Sequence, residues 1–364
     1  MNGRADLLDL LRASRRCAAD KRKLLLSVYG LLAFAPLFLL VVAAGRSHLH
    51  GGFFPQLQEA FLRPVQATID LGKGILAGGR WGTFAVCLVG LWFAVTLVAS
   101  FFGLAITRMA AVELTGGRRA DLREALRFAR RQWFWALLTP ASLFGGGLAL
   151  ACVAALLLAL GGSSGIGIVL AAPVALALVA AAGFLVVGYL LGGPLAGPTL
   201  ATEWSDSFDS IARVFGYSFT HAYRLFVYRL GAGLALLVAA LSRLLRTALA
   251  LALFTLVLTA GLGTERASAL LNEIFLEPPD GPPLPRSLAG WAVFFSVAAF
   301  LTAQLARLLV FRLALRQAVY LLLRLRVDKV PLGNIDGYKP DDTAYDPVAQ
   351  GFELAEVEEE IRAE

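Results

Sequence analysis

The feature that most constrains this chain is a run of 71 consecutive residues, from Gln132 to Thr202, that contains no Asp, Glu, Lys, Arg or His. A soluble domain of that length would have to turn polar surface toward water. Acyl chains remove that requirement, and apolar runs of about 18 residues or more indicate helices that cross a bilayer. The run therefore predicts a membrane protein with helical spans.

Further apolar runs flank this one, and 58% of all residues are hydrophobic while 16% are charged. A hydrocarbon core about 30 Å thick needs about 20 helical residues. Together the runs predict an all-α polytopic transmembrane helical bundle with about six spans. The predicted spans lie near 25–44, 82–106, 134–160, 166–192, 227–246 and 288–308. Tryptophans stand at several span ends, as expected of interfacial aromatic residues.

Basic residues are distributed unevenly among the segments that connect the spans. A total of 22 Lys and Arg fall in segments 1–24, 107–132, 203–229 and 312–330. Only 6 fall in segments 45–80 and 263–288. Because cytoplasmic loops carry an excess of Lys and Arg, the first group is predicted to be cytoplasmic. Both termini then lie on the cytoplasmic side of a bacterial inner membrane, and the net charge of +7 calls for no nucleic-acid partner.

The same distribution divides the chain into three parts. Residues 1–24 form a basic amphipathic segment, residues 25–330 hold the spans, and residues 331–364 form an acidic tail. The tail is predicted to be a solvated, disordered segment or a short acidic helix that folds back onto the basic surface.

The region 227–262 is the hardest to assign, because it is apolar apart from Arg243 and Arg246. As one helix it would be about 50 Å long, which exceeds a simple crossing. A span that ends at 246 would put Arg243 near the outer interface, where both side chains reach headgroups or water. Alternatively, the two arginines, three residues apart on one helical face, bind an anion or a substrate.

The segments that follow the second and fourth spans are alike. Each has a glutamate just past the span, Glu113 or Glu203, and an aspartate six to eight residues later that opens a short helix. The sixth span continues into a basic extension. This pattern predicts three hairpin units, each returning to the cytoplasm with an amphipathic interfacial helix.

The segment after Asp121 shows the clearest sidedness, because apolar residues recur at spacings of four and three beside a cluster of arginines. The arginines are Arg123, Arg127, Arg130 and Arg131. This pattern is typical of a helix that lies in the headgroup plane, so the four side chains are predicted to bind anionic phospholipid headgroups. Simple anchoring to the lipid bilayer and docking of an acidic membrane or cytoplasmic protein partner both stay open.

Motifs for catalysis are missing from the sequence. There is no phosphate-binding loop, no zinc-ligand spacing and no Gly-x-Ser-x-Gly elbow, so we expect no enzymatic activity, no cofactor and no metal. Asp206 and Asp209 are interpreted as part of a helix N-cap rather than as catalytic carboxylates. The three cysteines show no ligand or disulfide pattern.

The fourth span ends in a stretch rich in glycine and proline, which includes Gly192, Pro194, Gly197 and Pro198. Small residues allow helices to pack closely, and prolines end or kink helices. The same residues would also break a helix in the manner of a transporter binding site. Packing, termination and a solute site are therefore all compatible with the sequence.

Four stretches of the chain carry a likeness to known sequences. They are GLAITRMAAVEL at 103–114, LREALRFARR at 122–131, SDSFDSIAR at 205–213 and VYLLLR at 319–324. They resemble an uncharacterised family of bacterial, planctomycete-type multi-pass inner-membrane proteins. The resemblance runs from the second span to about Asp328 and departs at Glu203-Trp204, at Arg243 and Arg246, and at 278–285. That family has no assigned activity, so the resemblance implies an architecture and no chemistry.

Two functions are compatible with these patterns. The first is a non-enzymatic scaffold or membrane component that binds lipid or a partner, which the basic cytoplasmic segments favour. The second is a permease-like transporter subunit for a small or anionic solute, which the hairpin repeat, the Gly/Pro stretch and the arginine pair favour. A cavity lined by Arg243, Arg246 and Glu113 or Glu203 would indicate transport, whereas a packed bundle with a marked cytoplasmic face would indicate a scaffold.

Overall fold

The structure is a computed structural model. It describes residues 7–50, 52–62, 67–68, 70–74, 81–116, 119–161, 165–203, 205–275 and 287–330. Helices dominate the described part of the chain, which contains no β-strand. The predicted all-α architecture is therefore confirmed.

We number the α-helices in chain order. The first half of the chain contains α1 Leu7–Cys17, α2 Lys21–His50, α3 Phe53–Leu62, α4 Trp81–Val98, α5 Leu104–Gly116 and α6 Leu122–Gly161. The second half contains α7 Gly165–Glu203, α8 Ser207–Phe215, α9 Ala222–Leu262, α10 Thr264–Phe275 and α11 Leu288–Arg326. Two π-helical segments interrupt this order, Ala99–Gly103 after α4 and Gly216–Thr220 after α8.

Six helical segments in the described part of the chain are long and apolar enough to cross a membrane. They are Lys21–Ser47, Thr83–Thr115, Leu122–Gly161, Gly167–Glu203, Ala222–Leu262 and Leu288–Arg326. Four of them have 37 to 41 residues. At 1.5 Å per residue such helices are close to 60 Å long, about twice the hydrocarbon thickness. They therefore continue well beyond a single crossing.

The spans pack as three hairpins. Helix α2 packs against α4, α6 packs along α7, and α9 packs against α11. Each hairpin is preceded by a segment that is not part of its crossing: α1, the first turns of α6, and α8. The predicted arrangement of three hairpin units agrees with these contacts.

Most of the buried core lies at one end of the bundle, which we call the α1 end because it contains α1, α8 and the last turns of α11; a smaller buried cluster, which includes Val42, Ala43 and Ala60, lies at the other end of α2. The residues of α11 from Val310 to Leu323 are largely buried at the α1 end and pack against α1, α5, α7 and α9. Away from this end, large apolar side chains such as Leu156, Val169 and Leu170 are exposed. Exposed leucine and valine on uncharged helices are the surface expected to face acyl chains.

The predicted fifth span at 227–246 is wrong in its boundaries. One uninterrupted helix, α9, runs from Ala222 to Leu262, so the fifth span does not end at 246. It ends at Gly263, whose φ of 80° lies in the left-handed region that glycine adopts readily. The boundaries were wrong because the prediction assumed that a helix ends once it has crossed the membrane, whereas α9 also extends along the protein core.

The prediction that the arginine-rich segment lies flat in the headgroup plane is also wrong. Residues 122–131 form the first turns of α6, which continues into the third span without a break. The buried face of these turns, which includes Ala125, Phe128 and Ala129, packs against protein rather than lipid. Amphipathic spacing marks a helix with one buried face and does not specify what covers it.

The Gly/Pro stretch does not break its helix. Helix α7 runs through Pro173, Pro194 and Pro198 to Glu203. Gly192 lies where α7 meets α8, and a β-carbon at that position would overlap Val214. Close helix packing therefore explains this glycine.

Several predictions fall on residues outside the described ones. They concern the acidic tail at 331–364 and segment 278–285, where the resemblance to the planctomycete-type family departs.

Candidate functional site

Arg243 and Arg246, singled out in the sequence, line a groove between α1, α2, α9 and α11. Its volume is about 1070 Å³. Its basic lining residues are Arg12, Arg15, Lys21, Arg243, Arg246 and Arg307. No carboxylate is among the described residues that line it. We call this feature the basic groove.

The two arginines of α9 are held differently within the groove. Arg246 donates from Nε to the carbonyl oxygen of Ser242 at 3.0 Å and from Nη2 to its hydroxyl at 3.3 Å. The Nη1 atom of Arg243 is buried and has no hydrogen-bond partner among the described residues. An arginine keeps its charge at any physiological pH, so this donor is available to an anion.

The remaining walls of the groove are apolar. Leu234 and Val238 line it and are 56% and 66% exposed, so the groove opens sideways along α9 rather than closing inside the bundle. Phe311 of α11 lies on the opposite wall. Guanidinium groups beside exposed aliphatic side chains suit a ligand that has both an anionic group and an apolar body.

The structure corrects the expected position of Arg243 near the outer interface. The hydroxyl of Ser27, in the second turn of α2, donates to the carbonyl oxygen of Ala306 at 3.2 Å. Arg307 follows directly and lies close enough to Arg243 to repel it. Arg243 is therefore level with the beginning of α2, on the side of the N-terminal basic segment. The predicted position was wrong because it placed the start of the fifth span at the membrane surface, whereas α9 begins within the protein core.

The arginines of α6 form a second basic surface, separate from the groove. Arg123, Arg127, Arg130 and Arg131 are all exposed. They occupy the face of α6 opposite to Ala125 and Ala129, which are buried in the core. A partner or a lipid headgroup can therefore approach them without any rearrangement of the fold.

The repeated glutamates hold the α1 end together. Glu113 accepts a hydrogen bond from Lys23, whose side chain is completely buried. The same ammonium group donates to the carbonyl oxygen of Cys17 at 3.1 Å and contacts its sulfur atom at 2.8 Å. Burial is the main reason that the pKa of the Cys17 thiol rises to about 12. A buried charge pair with these additional hydrogen bonds fixes α1, α2 and α5 to one another.

Glu203 has the same role at the end of α7. Its carboxylate is 2.8 Å from Arg213 of α8 and 3.2 Å from Arg324 of α11, and it accepts a hydrogen bond from the Tyr320 hydroxyl. Arg213 also pairs with Asp209 at 3.3 Å. We call this group the Glu203 cluster. Neither Glu113 nor Glu203 lines the basic groove. The arginines expected in a transport cavity are therefore present in the groove, whereas the expected glutamates are not among its described lining residues.

A hydrogen bond between Tyr217 and Asp328 extends the ordered end of the bundle. The Tyr217 hydroxyl donates to the Asp328 carboxylate. Burial and this carboxylate raise the pKa of Tyr217 above its ordinary value, so the phenol stays protonated. The hydrogen bond joins the segment after α8 to the end of α11.

The sequence analysis missed a further set of arginines, Arg229, Arg312 and Arg316. It counted them only as basic residues of cytoplasmic segments. Arg312 and Arg316 line two adjoining cavities beside α7 and α11, and Arg229 of α9 lines the second of them. The spacing of four between Arg312 and Arg316 places both on one helical face, and this was the signal that could have identified them.

Among the described residues, no group of three or more His, Cys, Asp or Glu side chains could hold a metal ion. No protein-family model matches the chain, and no curated protein or solved structure matches it. The resemblance to the planctomycete-type family stays a prediction.

Proposed function

We propose that this multi-pass membrane protein is a non-enzymatic membrane component that binds anionic phospholipid at its cytoplasmic side and offers the same surface to partners. The observation that carries the proposal is the basic groove, where six cationic side chains meet an exposed apolar wall with no carboxylate among the described lining residues. Each basic side chain near an anionic leaflet contributes on the order of 1 kcal/mol of attraction.

The groove suits a single anionic lipid molecule. The phosphate would contact the guanidinium groups around Arg243 and Arg307, and an acyl chain would follow exposed leucines of α9 such as Leu245 and Leu249. Arginine binds phosphate oxygens in a bidentate manner, which strengthens and orients the contact. The buried Nη1 atom of Arg243 is one donor for such an oxygen.

The exposed arginines of α6 would act differently. Because Arg123, Arg127, Arg130 and Arg131 are exposed, they would contact mobile headgroups or an acidic protein without enclosing them. Such contacts are weakened by salt. The groove would retain lipid through detergent extraction, whereas the α6 surface would not.

Lipid retention by the full-length protein tests this proposal. The protein is extracted in a mild neutral detergent, and bound phosphatidylglycerol is counted by native mass spectrometry. The triple variant Arg243→Gln, Arg246→Gln, Arg307→Gln should lose the retained lipid. The matched triple variant Arg123→Gln, Arg127→Gln, Arg130→Gln removes the same charge from α6 and should keep it. Equal retention by wild type and both variants would refute the groove as a lipid site.

The orientation is tested by labelling in intact bacteria. A cysteine-free protein carrying Arg243→Cys should stay unlabelled by an impermeant thiol reagent added outside, because position 243 is level with the beginning of α2. The control, Arg266→Cys, lies on α10 at the other end of the third hairpin and is exposed. It should react. Labelling at position 243 together with protection at position 266 would show that the proposed topology is inverted.

A permease-like transporter is the second candidate function. The observation that favours it is the pair of arginine-lined cavities beside α7 and α11, which prolines of α6 and α7 also line. Uptake of a radiolabelled anion into proteoliposomes would be the direct readout.

A further inference from the structure

Two adjoining cavities share walls on α7 and α11 and have volumes of about 330 and 270 Å³; the first extends toward α5 and α6, and the second toward α9. Both are lined by Leu190, Pro194, Arg312 and Arg316. The first also reaches the π-helical segment Ala99–Gly103, and the second reaches Arg229 of α9. They share no lining residue with the basic groove. We call them together the inner arginine cavity.

The cations of this cavity are close together. Arg312 and Arg229 both lie near enough to Arg316 to repel its guanidinium group. No carboxylate is among the described residues that line either cavity, and no described carboxylate forms an ion pair with any of the three arginines. Arginine does not release its proton in proteins, so the repulsion cannot be relieved by deprotonation.

The prolines of α7 contribute to the placement of these arginines. Pro194 has no N–H group, which leaves the carbonyl oxygen of Leu190, four residues earlier, without its helical partner. That oxygen accepts a hydrogen bond from Nη1 of Arg229 at 3.4 Å. The helix thus keeps its course while one of its carbonyl groups holds a cation at the edge of the cavity.

The π-helical segment lines the same space. Ala99, Ser100 and Gly103 face the first cavity. Segments of this kind are rare and frequently lie at functional sites. The hydroxyl of Ser100 donates to the carbonyl oxygen of Thr96 at 2.7 Å, so the donors that face the cavity are mainly those of the arginines.

We propose that Arg229, Arg312 and Arg316 form a binding site for a small oxyanion, phosphate or carboxylate in chemical class. Oxygen anions accept paired hydrogen bonds from guanidinium groups and would neutralise three cations that have no described carboxylate partner. The cavity volume suits a small solute or a single headgroup. The proposal does not depend on lipid binding in the basic groove, because the two sites have no lining residue in common.

The test uses full-length, delipidated protein in a neutral detergent. Its apparent melting temperature is measured against increasing inorganic phosphate at constant ionic strength, and separately against phosphatidylglycerol. Wild type should show a saturable rise. Arg316→Gln should raise the half-saturating concentration about tenfold or more, because it removes a charge-assisted hydrogen bond. Arg312→Gln, a partly independent variant at an exposed position, should act in the same direction.

The control variant Arg266→Gln lies at an exposed position on α10, outside both the inner arginine cavity and the basic groove, and should leave the response to phosphate unchanged. A rise with phosphatidylglycerol alone, lost in Arg316→Gln, would identify a headgroup as the bound oxyanion. A rise with phosphate would identify a free anion. If neither addition gave a saturable rise, or if Arg316→Gln and Arg312→Gln responded like wild type, the proposed site would be refuted.

Discussion

Two sets of arginines lie within a few helical turns of each other at the α1 end, and their surroundings differ. In the Glu203 cluster, Arg213 and Arg324 share one nearly buried carboxylate and join α7, α8 and α11. In the inner arginine cavity, Arg312 and Arg316 of the same α11 helix line a common cavity and repel each other. The difference indicates that the paired cations hold the fold, whereas the cations without a carboxylate partner among the described residues are available to bind.

The energetics of the two sets differ in sign. Removing one partner of a buried charge pair leaves the other charge uncompensated, which costs about 3 to 5 kcal/mol. Removing one of several cations that repel one another takes away an unfavourable interaction instead. In the absence of a ligand, the change in stability on substitution therefore distinguishes structural arginines from ligand-binding ones.

The largest effect is expected from Glu203→Gln. It removes the carboxylate that Arg213, Arg324 and Tyr320 share, and we expect a loss of about 3 to 5 kcal/mol in the free energy of unfolding. The apparent melting temperature in detergent is the measurement. Glu265→Gln on the exposed α10 is the control and should cost less than about 1 kcal/mol. Similar losses in both variants would show that the cluster has no special role.

A smaller loss is expected where α7 packs against α8. In Gly192→Ala the new methyl group would overlap Val214 and come within 2.8 Å of the Ser218 hydroxyl. Overpacking of this kind costs about 1 to 3 kcal/mol. Gly183→Ala, in the same helix, adds its methyl group where no atom lies within 4 Å and should cost nothing. The melting temperatures of the two variants are compared. A lower melting temperature for Gly183→Ala than for Gly192→Ala would contradict the packing interpretation.

The N-cap of α8 should contribute less to stability than the packing at Gly192 does. Asp206 accepts a hydrogen bond from the backbone N–H of Asp209 at 2.8 Å, and this helix carries Arg213 to Glu203. Asp206→Ala should cost about 1 kcal/mol, and Asp206→Asn should restore most of it. Failure of the asparagine variant to recover the melting temperature would argue against a capping role.

The smallest effect is expected in the basic groove. Arg246→Gln removes an exposed cation whose hydrogen bonds go to Ser242 of its own helix. Its change in unfolding free energy should stay within about 0.5 kcal/mol in lipid-free detergent. Added phosphatidylglycerol should stabilise wild type more than the variant. A large loss of unfolding free energy without lipid would show instead that Arg246 stabilises the fold.

The hydrophobic pattern was enough to predict six spans, because uncharged helices longer than a bilayer have few alternatives. The similar segments after the second and fourth spans then predicted the three hairpins. The repeat of Glu113 and Glu203 was also visible, although their partners were not. Lys23 lies 90 residues from Glu113, and Arg324 lies far from Glu203 along the chain. Only tertiary packing brings such residues together.

The errors have a common physical origin. The sequence analysis limited helices to the thickness of the membrane, although α6 and α9 continue into a protein core that apolar residues also fill. For that reason Arg243 was placed at the wrong end, and the arginines of α6 were assigned to a flat helix. Periodicity and hydropathy do not distinguish a surface covered by lipid from one covered by protein.

The comparison is tested most directly by two substitutions eight residues apart on α11, Arg324→Gln and Arg316→Gln. Both remove one guanidinium group from the same helix, and only Arg324 has a carboxylate partner among the described residues. In delipidated protein without added anion, Arg324→Gln should lower the apparent melting temperature by several degrees, and Arg316→Gln should leave it unchanged or raise it. Equal losses in the two variants, or a larger loss in Arg316→Gln, would contradict the account.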